Sequence, residues 1–96
     1  MKTDIIKEIK IDDLGRLCVY PAIENFYGIW QTATEVHWDI KGHFLYSPKP
    51  REWSYFDWYE RIITVIKKDG FCDLKLSKQT IWTDIPEIIK EQIISF

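Results

Sequence analysis

The sequence predicts an α+β domain, with an antiparallel sheet of about five strands built from two β-hairpins plus a later strand, and with helices packed on one face. Three observations predict it. One turn signature, Asp-x-x-Gly, occurs twice between alternating apolar segments, as Asp12-Asp13-Leu14-Gly15 and as Asp39-Ile40-Lys41-Gly42. Residues 54–70 then carry apolar side chains at the period of a helix rather than a strand. A second alternating segment, residues 72–76, follows directly.

In chain order, the first signature places Asp at the start of a type I turn and glycine at its end, where the left-handed conformation closes a three-residue hairpin with a bulge. Pairing Asp12 with Arg16 sets Ile11 opposite Leu17 and Ile9 opposite Val19, so all four share one face. Applied to the second signature, the same rule pairs Asp39 with His43, Trp38 with Phe44 and Val36 with Tyr46. That leaves His37, Asp39, His43 and Leu45 on the outer face. Between the hairpins, Phe26, Ile29, Trp30 and Ala33 have i, i+3, i+4, i+7 spacing, which reads as a short helix within 22–34 weakened by Gly28. After the second hairpin, Ser47-Pro48-Lys49-Pro50-Arg51-Glu52 is an extended connector, because residues before proline avoid the helical region.

The main helix comes next. Ser54 is a good N-cap with Asp57 three residues on, a variant of the capping box, and the helix runs to about Asp69. Tyr55, Phe56, Trp58, Tyr59, Ile62, Ile63, Val65 and Ile66 fall on one half of its wheel. Lys67 and Lys68 suit the C-terminal dipole, and Gly70 is expected to supply a left-handed stop. Cys72, Leu74 and Leu76 then face one side of a fifth strand, and Thr80-Ile81-Trp82-Thr83 fits a short sixth. Asp84 caps a last helix with Pro86 in its first turn, whose stripe is Ile85, Ile88, Ile89, Ile93 and Phe96.

Composition bounds the function. The chain has 96 residues, 46% apolar and 29% charged, which is a single ordinary globular domain spanning residues 1–96. A net charge of −2 argues against general affinity for nucleic acid or anionic membrane. Charge is uneven: residues 21–40 carry Glu24, Glu35 and Asp39 with no Lys or Arg, whereas 41–68 carry six basic against three acidic residues. The N-terminus lacks the apolar region of a signal peptide and no apolar run reaches membrane-span length, so a cytoplasmic location is expected. Cys18 and Cys72 are too isolated for a disulfide framework or a metal knuckle and read as small buried hydrophobes.

No catalytic signature emerges. There is no G-x-S-x-G elbow, no phosphate loop and no dinucleotide fingerprint; Gly15, Gly28, Gly42 and Gly70 are dispersed as turn and cap residues. Asp57 with Glu60 reads as part of a solvated helix face rather than an acid–base pair. Metal-ligand types gather only at His37, Asp39 and His43, two imidazoles and a carboxylate of the kind that can hold iron or zinc. The plainer reading is a solvated hairpin tip in which Asp39 serves the turn, and it is preferred. The expectation is a protein that is not an enzyme and carries no cofactor.

The sharpest feature is aromatic. Eleven of the fifteen Phe, Tyr and Trp residues, including four of the five tryptophans, lie between Phe26 and Tyr59. A domain this small cannot bury them all. The second-hairpin register and the helical wheel assign Trp38, Phe44, Tyr46, Tyr55 and Tyr59 to the core. Tyr27, Trp30, Trp53 and Trp58, with Arg51 and the proline connector, remain as a candidate binding patch of interface-type residues. A protein partner or self-association as a homodimer fits that patch. The alternative is an aromatic-lined pocket for a small apolar or cationic ligand.

Arg16-Leu17-Cys18-Val19-Tyr20-Pro21, then Phe26, Trp30 and Ala33, Val36-His37-Trp38-Asp39, Trp53 and Trp58, and Thr80-Ile81-Trp82 form a pattern over about residues 16–90. It resembles small orphan bacterial proteins carried on the mobile gene cassettes of integrons, or encoded beside polymorphic toxins as immunity-like proteins. The resemblance rests on structural aromatics and carries over no functional residue. It implies a cytoplasmic, non-enzymatic binding protein, with an inhibitor covering a toxin's active site as its most concrete form; the acidic Glu24, Glu35 and Asp39 near the patch would then suit a basic partner such as a nuclease toxin.

Overall fold

The first hairpin forms in the register that its turn dictates. In the computed structural model, which describes residues 1–31 and 35–96, β1 (Lys2–Ile11) pairs antiparallel with β2 (Leu17–Pro21), Ile9 facing Val19 and Ile11 facing Leu17. Gly15 takes φ +77°, as the bulged turn requires. Asp12 Oδ1 accepts the N–H groups of Leu14 (3.0 Å) and Arg16 (2.9 Å), while Oδ2 takes Nε of Arg16 at 2.7 Å. Between Ile6 and Glu8 the ladder shifts register. That irregularity lets Ile6 and Ile9, an odd number of residues apart, both reach the interior.

The second hairpin corrects the expected register by one residue. β3 (His37–Asp39) and β4 (Phe44–Tyr46) pair as His37 with Tyr46, Trp38 with Leu45 and Asp39 with Phe44. The left-handed residue is His43, at φ +55°, not Gly42. A Cβ on Gly42 would lie 2.3 Å from the Phe44 ring, so the missing side chain lets that ring fold onto the turn. Trp38 and Leu45 are therefore buried together, while Phe44 and Tyr46 lie half-buried on the opposite face. Both sides of this hairpin offer apolar residues, so alternation alone does not choose between registers.

Residues 22–34 do not form the expected helix as far as they are described. Gly28 takes φ +76° and only a 3₁₀ turn, Ile29–Gln31, follows; Ala33 lies outside the described residues. Phe26 and Ile29 are buried, whereas Trp30 turns outward. The path into this segment is held by Asp4, a buried carboxylate whose Oδ2 accepts the N–H groups of Ile23 (3.0 Å) and Glu24 (2.9 Å).

α1 (Tyr55–Asp69) begins and ends where the sequence places it. Ser54 accepts from Asp57 N–H and Asp57 accepts from Ser54 N–H, which completes the capping box. Gly70 is needed for a different reason than expected. It is right-handed (φ −93°), and a Cβ there would meet the Ile66 carbonyl at 2.8 Å and the Phe26 ring at 3.2 Å. The left-handed turn falls instead on the exposed Phe71, at φ +53°.

The sheet is mostly antiparallel and runs β3-β4-β2-β1-β5 (Cys72–Lys75), with β6 (Ile81–Thr83) also paired to β1. Both β5 and β6 run parallel to β1, a pairing that the hairpin registers did not address. The reason is the α1 crossover. A chain that leaves one end of a sheet and returns along a helix enters the next strand from the same side as before. Lys2 to Ile5 pair with β5 and Glu8 to Lys10 with β6; in the gap, the Thr80 hydroxyl donates to the Ile6 carbonyl at 2.7 Å. α2 (Glu87–Ile94) starts after Pro86, later than expected, with no side-chain cap; Asp84 is a left-handed turn residue at φ +56°. α1 packs on β2 and β5, and α2 packs on α1. Ile93 seals that contact, but Ile88 is 66% exposed and leaves the expected stripe.

Candidate functional site

The proline connector and the first turns of α1 frame an open groove of about 1030 Å³. Pro48 and Pro50 form part of its wall because proline fixes an extended path and leaves the strand ladder at Tyr46. The connector is fastened from below. Ser47 N–H donates to the Leu17 carbonyl (3.1 Å), the Tyr55 hydroxyl donates to the Gly15 carbonyl (2.9 Å), and the alkyl stem of Lys49 lies so close over Gly15 that a Cβ there would be 3.1 Å away. The Asp12 turn is therefore the footing of the groove as well as the end of a hairpin.

Two tryptophans give the groove its apolar surface. Trp53 and Trp58 meet with ring centroids 4.8 Å apart at 45°. Trp53 is 46% exposed, whereas Trp58 is 7% exposed and belongs to the hydrophobic core cluster. Trp58 was expected on an open patch; its place on the inner half of α1 makes it the buried support of Trp53 instead. Around them stand the cations Lys49, Arg51 and Arg61 and the carboxylates Glu35 and Glu52. Among the described residues the ion pairs are Lys2–Glu24, Asp12–Arg16 and Asp73–Lys75, so none of these five charged groups is paired.

The structure thus gathers part of the expected patch. Arg51, Trp53, Trp58 and both connector prolines share one groove. Tyr27 and Trp30 are exposed, at 62% and 61%, but neither lines it. Tyr27 stands edge-on to Trp38, with centroids 6.2 Å apart, and the edges of Phe26 and His43 complete an aromatic enclosure around that indole. Arg61 is the lining residue that the sequence did not single out, whereas Glu35 was expected near the patch as part of an acidic complement to a basic partner. Arg61 sits one turn after Trp58, so the helical wheel could have found it; Glu35 comes from a distant segment.

The His37, Asp39 and His43 set does not converge. His37 stacks on Tyr46 (5.1 Å), Asp39 Oδ1 accepts Gly42 N–H (2.7 Å), and His43 Nδ1 lies 3.2 Å from Asn25 Oδ1. Among the described residues no three His, Cys, Asp or Glu side chains gather as metal ligands would. The cysteines are buried hydrophobes, as expected; burial pushes the Cys18 thiol up to about 12 and raises that of Cys72 as well. No helix among the described residues is long and apolar enough to cross a membrane.

Comparison with known proteins places the chain. Residues 4–80 match the profile of the family described as Integron Cassette Protein Hfx_Cass5. A solved structure titled "Structure from the mobile metagenome of North West Arm Sewage Outfall: Integron Cassette Protein Hfx_Cass5" is 34% identical, with 99% of this chain and 95% of that chain covered and a TM-score of 0.51. No functionally curated protein matches. The family match spans β1 to the end of the loop before β6, and the chain belongs to the Hfx_Cass5 family of integron cassette proteins.

Proposed function

We propose that this integron cassette protein is a non-enzymatic, cytoplasmic protein-interaction module, and that its binding face is the groove around Trp53. One observation carries the reading: an exposed Trp, backed by a buried Trp and ringed by Arg and Lys side chains that are in no ion pair among the described residues, on a connector fastened to the fold. Trp and Arg dominate the energetics of protein interfaces, and a fixed connector loses little entropy on binding. An immunity-like inhibitor of a toxin is the most concrete form of such a module.

The test is co-purification with the products of flanking genes, comparing wild type with Trp53→Ala. The variant is expected to fold normally and to lose a partner that the wild type retains. Normal folding with undiminished capture would overturn the groove as the binding face. A second reading uses the same groove for a small ligand, for which its volume suffices. The three cations lining it disfavour a cationic ligand, and a thermal-shift screen of neutral and anionic heterocycles would separate this reading from the first.

A further inference from the structure

The charges in the groove are open, and they are not balanced. Lys49, Arg51 and Arg61 outnumber Glu35 and Glu52 there, in a chain whose net charge is −2. None of the five takes part in an ion pair among the described residues, whereas Arg16, just below, is fully engaged by Asp12 at 2.7 Å. At the nearby start of α1 the capping box already engages the N–H groups of Ser54 and Asp57. What remains for an incoming ligand is the guanidinium forks and an ammonium, beside an indole and two prolines. Guanidinium forks match carboxylates bidentately, and aromatic and proline surfaces suit an extended peptide.

We infer that the groove takes an extended acidic segment of a partner protein, carrying carboxylates for Arg51 and Arg61 and an apolar residue for Trp53; this deepens the proposed function and rests on it. The basic toxin surface that the acidic stretch 21–40 suggested is not the complement of this groove. Glu35, the member of that stretch that lines it, is a minority charge there. Nucleic acid is the other polyanion with an affinity for aromatic and basic grooves. It is disfavoured because Trp58 is buried and gives no open ring face to a second base, and because two carboxylates line the path.

The test uses the full chain and three probes read by Trp fluorescence and by calorimetry. These are an array of eight-residue peptides alternating Glu and Pro around one Leu or Phe, the same peptides with Gln for Glu, and a single-stranded oligonucleotide of equal length. The acidic peptides are expected to bind at least tenfold tighter than the Gln set, with Arg51→Gln and Arg61→Gln each weakening binding several-fold and Arg51→Lys restoring part of it. Glu35→Gln and Glu52→Gln are expected to strengthen binding, since each removes a repelling charge. Equal binding of Gln peptides, tighter binding of the oligonucleotide, or no binding of any acidic peptide overturns the inference. So does a concentration-dependent dimer abolished by Arg51→Gln, which would assign the groove to a second copy. If Trp53→Ala loses the flanking-gene partner while Arg51→Gln and Arg61→Gln keep it, the groove stands as the binding face and only its acidic preference falls.

Discussion

Arg16 and Arg51 lie on two segments that touch, since the Lys49 stem rests on Gly15, yet the two arginines are used in opposite ways. Arg16 is consumed by structure. Its Nε and Nη2 both meet Asp12 at 2.7 Å, and its guanidinium covers the Tyr46 ring at 4.4 Å. Arg51 lines an open groove and is in no ion pair among the described residues. The difference teaches where to look for function in a small fold without a catalytic signature. A charge with all its partners inside the chain stabilises the native state; a charge left open beside a fastened aromatic surface is available to something else.

That contrast has a sharp test at the tryptophan pair. Trp58→Ala is expected to cost about 3–5 kcal/mol, as for other buried large aromatics, and Trp53→Ala about 1 kcal/mol. Urea unfolding of both variants measures the difference; equal costs would erase the boundary between the supporting and the open part of the groove. Next comes Asp12→Ala. It strands two backbone N–H groups and a partly buried guanidinium, at an expected cost of about 2–3 kcal/mol in the same measurement.

Asp12 also gives the fold a pH signature. Burial pushes its carboxyl up, but the hydrogen bonds and charge of Arg16 and the Leu14 N–H outweigh it, and the net value lies below the ordinary one. A carboxyl depressed in the folded state contributes stability that is complete above its unfolded pKa of about 3.9 and is lost as pH falls through the lower folded value. Asp12→Asn is therefore expected to flatten the loss of stability below about pH 4 relative to wild type. Parallel acid curves would show that the Asp12–Arg16 pair contributes nothing there. Ser54→Ala, which removes half of the capping box, is expected to cost about 1 kcal/mol in thermal unfolding. The smallest effect belongs to Arg51→Gln, within about 0.5 kcal/mol of wild type in stability. A larger loss would put Arg51 in the same structural class as Arg16.

How much of this was legible in the sequence depended on the range of the interactions involved. The groove was half legible: Arg51, Trp53, Trp58 and the prolines lie within eleven consecutive positions, so proximity along the chain brought them together. Tyr27 and Trp30 were grouped with them only by type. Their place is set by Gly28 and by the Trp38 enclosure, which depend on contacts distant in sequence. Glu35 was read as a mark of a basic partner because its basic neighbours in the groove come from elsewhere in the chain.

The sequence by itself determined the α+β class, the register of the first hairpin, the start and end of α1, and the burial of both cysteines. Each rests on interactions a few residues apart: a glycine that must be left-handed, a Ser–Asp cap, an alternation with one apolar side. Tertiary structure alone decided the register of the second hairpin, the two parallel ladders on β1, the close-packing role of Gly70, and which rings remain open. In those places local patterns allow more than one arrangement. The choice falls to whichever brings Trp38 and Leu45 inside, returns the α1 crossover to β1, and seats Phe26 against the end of the helix.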